Sequence, residues 1–199
     1  IAFEYHPKAA FGEQGITAPA YAITKHYDEL HPQDDIETVT FVDGFGRAIQ
    51  VKKDGVITTA SKGSVPKDEE MMIVSGRNIY DAFGRVTKAY YPVTEPLGKK
   101  ATFNKAFDDQ TPTISLYDVL DRNTVVTLPD GSRSTTEYSI DPGSNTLVTT
   151  LTDALGHRQT TYAKGTGKTV KTEQLDGPAG TITTSFLYDG IDRLTRVID

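Results

Sequence analysis

Along this chain, short runs of alternating apolar and polar residues are cut at even intervals by turn residues. The clearest runs are Arg122 to Leu128, Ser132 to Ile140, Thr146 to Thr152, His157 to Lys164, Lys168 to Leu175 and Thr181 to Tyr188, seven to nine residues each. They are rich in Thr, Val and Tyr, and a period of two over that length is the signature of a half-exposed strand. Pro129-Asp130-Gly131, Asp141-Pro142-Gly143, Gly165-Thr166-Gly167 and Asp176-Gly177-Pro178-Ala179-Gly180 separate them, and these are residues of tight turns. No apolar run exceeds four residues, the length of Met71 to Val74, which is too few to span a bilayer. The pattern predicts an all-β chain of antiparallel hairpins.

Upstream the punctuation is less regular. Lys53-Asp54-Gly55 predicts a turn, and Ser61 to Asp68 an exposed loop. Ile73-Val74 reads as the start of a strand leading to Tyr80. Tyr90-Tyr91-Pro92, Pro96-Leu97-Gly98 and Asp108 to Pro112 interrupt the next stretch. Residues 1–36 read as an irregular segment with one strand, around Tyr21 to Tyr27, and poorly ordered residues before it. Residues 37–199 form the regular region.

A phrase recurs five times within that region: Val42-Asp43-Gly44-Phe45-Gly46-Arg47, Tyr80-Asp81-Ala82-Phe83-Gly84-Arg85, Tyr117-Asp118-Val119-Leu120-Asp121-Arg122, Thr152-Asp153-Ala154-Leu155-Gly156-His157 and Tyr188-Asp189-Gly190-Ile191-Asp192-Arg193. The Asp-to-Asp spacings are 38, 37, 35 and 36. Asp favours the first position of a type I turn because its carboxylate can accept a nearby backbone N–H. Two ordinary residues follow. Gly46, Gly84 and Gly156 then stand where a three-residue hairpin loop with a bulge needs a left-handed residue. Asp121 and Asp192 replace that glycine, and Asp is among the few residues that tolerate the region. Tyr and Arg flank the turn on the two strand ends, where the ring can be covered by a cation. Three turns per period imply three strands per period. Because three is odd, successive signature turns are expected on opposite edges of the ribbon.

Composition agrees with this picture. There are 28 Thr, 10 Tyr, 17 Gly and 10 Pro in 199 residues, which is the composition of strands and frequent turns. A net charge of −6 argues against a nucleic-acid partner. Absent cysteine excludes disulfides, thiolate zinc sites and a thiol nucleophile. The N-terminus shows no initiator Met and no leader pattern, so the chain reads as an excised fragment.

The phrase and the turns between its copies resemble the YD repeat of the bacterial RHS family. Tyr80-Asp81-Ala82-Phe83-Gly84-Arg85-Val86-Thr87, Tyr188-Asp189-Gly190-Ile191-Asp192-Arg193-Leu194 and Pro129-Asp130-Gly131-Ser132 carry the likeness. Thr38 to Gly44 and Tyr90 to Val93 are similar to the RHS-like part of insecticidal toxin complexes and SpvB-type toxins. The resemblance implies a long antiparallel β-strip that spirals into a shell around a toxic or variable C-terminal domain, in a protein that is secreted or displayed on the bacterial surface. The implied partners are the rest of the same polypeptide and that enclosed domain. Val42 and Thr152 in place of Tyr, and His157 in place of Arg, are departures from the pattern.

No other chemistry stands out. His26 and His31, near Asp28, Asp34 and Asp35, match no helical or ribbon metal spacing. Gly165-Thr166-Gly167-Lys168-Thr169 lacks the first glycine of a phosphate loop, since Tyr162 stands there. The repeat Asp residues lie too far apart to share a calcium ion. Neither metal nor cofactor is expected, and the chain is expected not to be an enzyme. The alternative to a structural module is a carbohydrate- or cell-surface-binding face formed by Tyr90 and Tyr91 with Phe103 and Phe107. The competing account of these four is that they stack as the sheet's own core.

Overall fold

A computed structural model describes the chain except residues 13, 14, 28, 30, 31, 33, 34, 61–64 and 176–179, with residues 10–12, 15–17, 107 and 108 given by backbone alone. It is almost entirely antiparallel β, as expected, and divides into two units, Ile1–Thr113 and Ile114–Asp199.

The first unit holds an open six-stranded antiparallel sheet. Its strands are β1 (Ala2–His6), β4 (Ala20–His26), β5 (Ile36–Val42), β6 (Ala48–Thr59), β7 (Lys67–Ser75) and β10 (Val93–Pro96), and that is also their spatial order. A ribbon of β2 (Ala10–Gly12) and β3 (Gly15–Ala18) and a hairpin of β8 (Asn78–Tyr80) and β9 (Val86–Ala89) complete the unit. Among its described residues, the segment read as carrying one strand therefore holds β1 to β4: Ala2 to His6 pairs along its whole length with Tyr21 to Lys25, and β2 pairs with β3.

The register puts Ile23, Val39, Lys52, Val74 and Val93 in one cross-strand row. Tyr21, Phe41 and Gln50 form a row beside it, and Asp54, Met72 and Glu95 another. The three rows share a face, so this face holds the core: Ile23, Val39, Phe41 and Met72 are buried, with Tyr21, Ile49, Leu97 and Phe103 packed against them. Its cover is a short irregular segment. After β10 the chain makes a 3-10 turn at Leu97–Lys99, and Phe103 meets Phe41 edge to face at 5.5 Å between ring centres.

Two expectations for this unit are corrected. Lys53-Asp54-Gly55 is no turn: β6 runs straight through it, and these three residues pair with Ile73, Met72 and Met71. Asp54 uses its carboxylate to accept the Glu37 N–H at 2.9 Å, and Gly55 makes room for Ile73, whose Cδ1 would lie 2.6 Å from an added Cβ. Ile73-Val74 belongs to β7, which begins at Lys67 and ends before Gly76, rather than to the strand reaching Tyr80. Residues 61–64 of the expected loop lie outside the described residues; Val65 and Pro66 are exposed, and Lys67 and Asp68 are already in β7.

The second unit is a meander of eight strands in chain order: β11 (Thr113–Tyr117), β12 (Asn123–Thr127), β13 (Arg133–Asp141), β14 (Thr146–Thr152), β15 (Arg158–Ala163), β16 (Thr169–Leu175), β17 (Thr181–Tyr188) and β18 (Leu194–Ile198). Its register sorts side chains sharply. The charged strand residues Arg133, Glu137, Asp141, Arg158, Lys171, Glu173 and Arg196 all fall on one face. The other face carries a ladder of Thr149, Thr161, Thr172 and Thr184. Each period between signature turns spans three strands, so the Asp118 and Asp189 turns lie on one edge of the meander and the Asp153 turn on the opposite edge.

Candidate functional site

The five signature turns share one geometry. Asp43 N–H donates to Arg47 O and Gly46 N–H to Asp43 O, both at 3.0 Å, and the same pair of bonds closes the turns at Asp81, Asp118, Asp153 and Asp189. The carboxylate finishes the work. Asp43 Oδ1 accepts the Phe45 and Arg47 N–H groups at 2.9 and 3.0 Å, and Oδ2 accepts Arg47 Nε at 2.7 Å. Asp81, Asp118 and Asp189 hold Arg85, Arg122 and Arg193 in the same way, each with Nε at 2.7 Å. In the fourth copy His157 Nδ1 takes the place of Nε, 2.7 Å from Asp153 Oδ2. The residue before the Arg or His has positive φ throughout: 76° at Gly46, 84° at Gly84, 61° at Asp121, 86° at Gly156 and 61° at Asp192.

This arrangement keeps the carboxylates ionised. The hydrogen bond from the Arg122 side chain holds the Asp118 carboxyl below the usual carboxylate range, and the His157 ring does the same for Asp153. At Asp189 the Arg193 N–H leads, followed by its side chain. Burial opposes ionisation at Asp43 and Asp81 but is outweighed by the arginine and backbone donors.

Two further turns have the same backbone without the signature. Leu128 N–H bonds Ser132 O and Gly131 N–H bonds Leu128 O, each at 2.9 Å; Lys164 to Lys168 repeat the pattern. Gly131 and Gly167 take φ of 84° and 82°.

The tyrosines tie turns to strands. Tyr80 donates its hydroxyl to Ala48 O at 2.9 Å, with the Arg47 guanidinium 4.4 Å above its ring. Tyr138 donates to Asn123 O at 3.2 Å under Arg122, 4.0 Å away, and Tyr188 donates to Thr169 O at 2.8 Å. In all three cases the acceptor is the residue directly after the last residue of a turn. An arginine thus holds its own Asp and covers a tyrosine from elsewhere in the chain, a link that spacing alone does not reveal. Tyr117 ends β11 at the bulge preceding its turn.

A buried polar cluster in the first unit escaped the sequence reading altogether. Lys52 is fully buried, yet its ammonium bonds the Glu95 carboxylate, Thr102 O and, at 2.9 Å, Lys99 O. Gln50 exchanges two bonds with the Asn104 backbone at 2.9 and 3.0 Å, as a strand residue would, and Asn104 Nδ2 donates to Glu95 at 3.0 Å. Burial pushes the Lys52 ammonium below its usual pKa, and the Glu95 hydrogen bond works against that. All three ammonium donors are used, so the cluster acts as a clamp on the segment covering the core. A lysine beside Val51 and Lys53 gives no sequence signal of burial.

On the charged face of the second unit lies an open groove of about 520 Å³, lined in part by Glu137, Thr150, Arg158, Thr160, Tyr162 and Glu173. Lys171 and the Tyr162 hydroxyl both donate to Glu173, at 2.8 and 2.9 Å, and lower its pKa. The residues of the expected aromatic face have different surroundings. Phe103 packs on Phe41 in the core, Tyr90 donates its N–H to Arg77 O, and Tyr91 is exposed in the β9–β10 connection. The side chain of Phe107, and His31, Asp28 and Asp34, lie outside what is described. Among the described residues no group of acidic or histidine side chains is arranged to hold a metal, and no helix is long and apolar enough to cross a membrane.

The family model described as "Domain of unknown function (DUF6443)" matches residues 16–142. No curated protein matches the sequence. Among solved structures, the crystal structure of TcdB2-TccC3 superposes with a TM-score of 0.74 at 17% identity, over 100% of this chain and 10% of that one. The Photorhabdus luminescens Tc holotoxin pore gives 0.66 at 18% identity over 92% and 10%. TcdB2-TccC3 without its hypervariable C-terminal region gives 0.65 at 18% over the same shares. This chain therefore spans about a tenth of the length of those chains. At such identity the likeness establishes the fold, and it bears out the resemblance of the repeat to RHS-containing toxin complexes.

Proposed function

Because this chain belongs to the family described as Domain of unknown function (DUF6443), and folds as a segment of the Tc toxin structures does, we propose that it is a structural YD-repeat module of a large secreted or surface-exposed bacterial RHS-type protein. In this reading it is one stretch of a β-strip that winds into a shell, and its partners are the rest of the same polypeptide and the toxin or variable C-terminal domain within. It carries no catalytic residues of its own and takes no cofactor. The observation supporting this most directly is the match of a repeat with three strands per period, over its full length, to a chain about ten times longer.

The geometry suits a wall. Each turn closes its own backbone hydrogen bonds and pairs its signature Asp with its own Arg or His, so periods can be added without a new core, as in other repeat arrays. The test is electron cryomicroscopy of the complete polypeptide, combined with limited proteolysis. A hollow wall containing residues 1–199, with the enclosed domain resistant to protease until the wall is breached, is the expected result. An open array with a freely cleaved C-terminal domain would overturn the reading.

A further inference from the structure

In every signature turn the residue before the left-handed position is large and apolar, and every one points outward. Phe45, Phe83, Leu120, Leu155 and Ile191 are 86%, 81%, 67%, 82% and 72% exposed. Scattered apolar residues on a surface are ordinary, but the same exposed position in five copies of five is not scatter. The turn itself does not require it. The two turns with the same backbone but no signature carry Asp130 and Thr166 at the equivalent tip. Local shielding does not explain it either: Arg47 and Arg85 approach the Phe45 and Phe83 rings at 5.1 and 4.9 Å and still leave them mostly exposed.

We propose that these tips are knobs that dock the ribbon's edge against the edge of another course of the same repeat. The backbone that closes each turn is hydrogen-bonded and the signature Asp is paired with the Arg or His of its own turn, so the side chain at the protruding tip is apolar, with the acidic Asp121 and Asp192 following Leu120 and Ile191. A partner that buries all the knobs of one edge must present apolar surface at their spacing. In the meander Leu120 and Ile191 share an edge six strands apart, about 29 Å at a strand separation of about 4.8 Å, and Leu155 stands on the opposite edge. Another course of the same array has that period. Structures of this fold are about ten times longer than this chain, which leaves ample ribbon to supply the partner course. The neighbouring course rests on the shell reading; for the isolated chain a second copy takes its place.

The test compares the 199-residue chain with a triple variant, Leu120→Thr, Leu155→Thr and Ile191→Thr, by sedimentation velocity across a concentration series. Threonine already occupies this position in the Thr166 turn, so the fold tolerates it. Both proteins carry Ile198→Lys in β18, where a charge discourages the separate route of edge-strand pairing. The parent is expected to self-associate, and the triple variant to do so about tenfold more weakly for each tip buried in the contact. Unchanged association, or a lower melting temperature with association intact, would overturn the proposal and make the tips local covers. Association with lipid vesicles in preference to self-association would overturn it as well. In the cryomicroscopy of the complete polypeptide, a shell whose courses do not meet at these residues sinks this inference alone. Absence of a shell sinks the functional reading and leaves the self-association result standing.

Discussion

Within a signature turn the two carboxylate oxygens accept two backbone N–H groups and the side chain of the Arg or His that closes the turn, which makes the ionised state of the Asp part of the turn's structure. The pH dependence follows from the direction of the shifts. Asp43, Asp81, Asp118, Asp153 and Asp189 all have folded pKa values below the unfolded one, so between the two values the unfolded chain binds more protons. Their contribution is present above the unfolded value of about 3.9 and is lost as pH falls through the lower folded values. Stability from urea titrations is expected to drop below about pH 4, and Asp118→Asn with Asp189→Asn to flatten that limb. An equally steep limb in the double variant would contradict this. The left-handed position makes a second prediction. At φ 86° Gly156→Ala meets no neighbour but suffers backbone strain, so it should lose about 1 kcal/mol, whereas Asp192→Gly should be neutral or gain up to about 1 kcal/mol.

At the scale of the strand, β6 shows how one short phrase can carry two meanings. Lys-Asp-Gly reads as a turn because Asp and Gly favour turns, yet here Asp54 binds a neighbouring strand's N–H and Gly55 yields its space to Ile73. Gly55→Ala should therefore destabilise by about 1 kcal/mol, and Ile73→Val, which removes the offending Cδ1, should recover most of it in a double-mutant cycle. Lys52 faces the core because alternation along β6 leaves it no other side, and the loop above supplies carbonyls in place of water. Lys52→Met should cost about 3 kcal/mol by stranding Glu95 without its cation, and adding Glu95→Leu should recover much of that in the same denaturation assay.

For the molecule as a whole, the two units differ in how they are held. The first has a core of buried apolar residues under a clamped cover, while the second is a meander whose largest apolar side chains are partly exposed on both faces. Its stability rests on continuous strand pairing and cross-strand contacts such as Thr150 Oγ1 to Thr160 Oγ1 at 3.2 Å. Hydrogen exchange is expected to be slowest in β14 to β16, which are paired on both sides, and fastest in β18, whose five residues are all exposed. Exchange from β18 as slow as from β15 would show that its outer edge is covered in solution. The spacing of the phrase made the meander readable in advance, since every strand there is bounded by its own turn residues. The first unit was less readable because β6 and β7 outrun their turn residues and β1 has no turn signal before it.

The amino-acid sequence by itself determined the all-β class, the period, the place of each signature turn and the alternation of turns between edges. All of these depend on local chemistry: Asp to cap, a residue that tolerates positive φ, and strands of one length between. The tertiary structure alone decided which partner each side chain meets. The pairing of Arg47 with Tyr80, the burial of Lys52 under Thr102 and the sorting of charges to one face of the meander join residues that register brings together. Register belongs to the sheet, and a one-residue slip reverses every face, so no single strand's sequence states it.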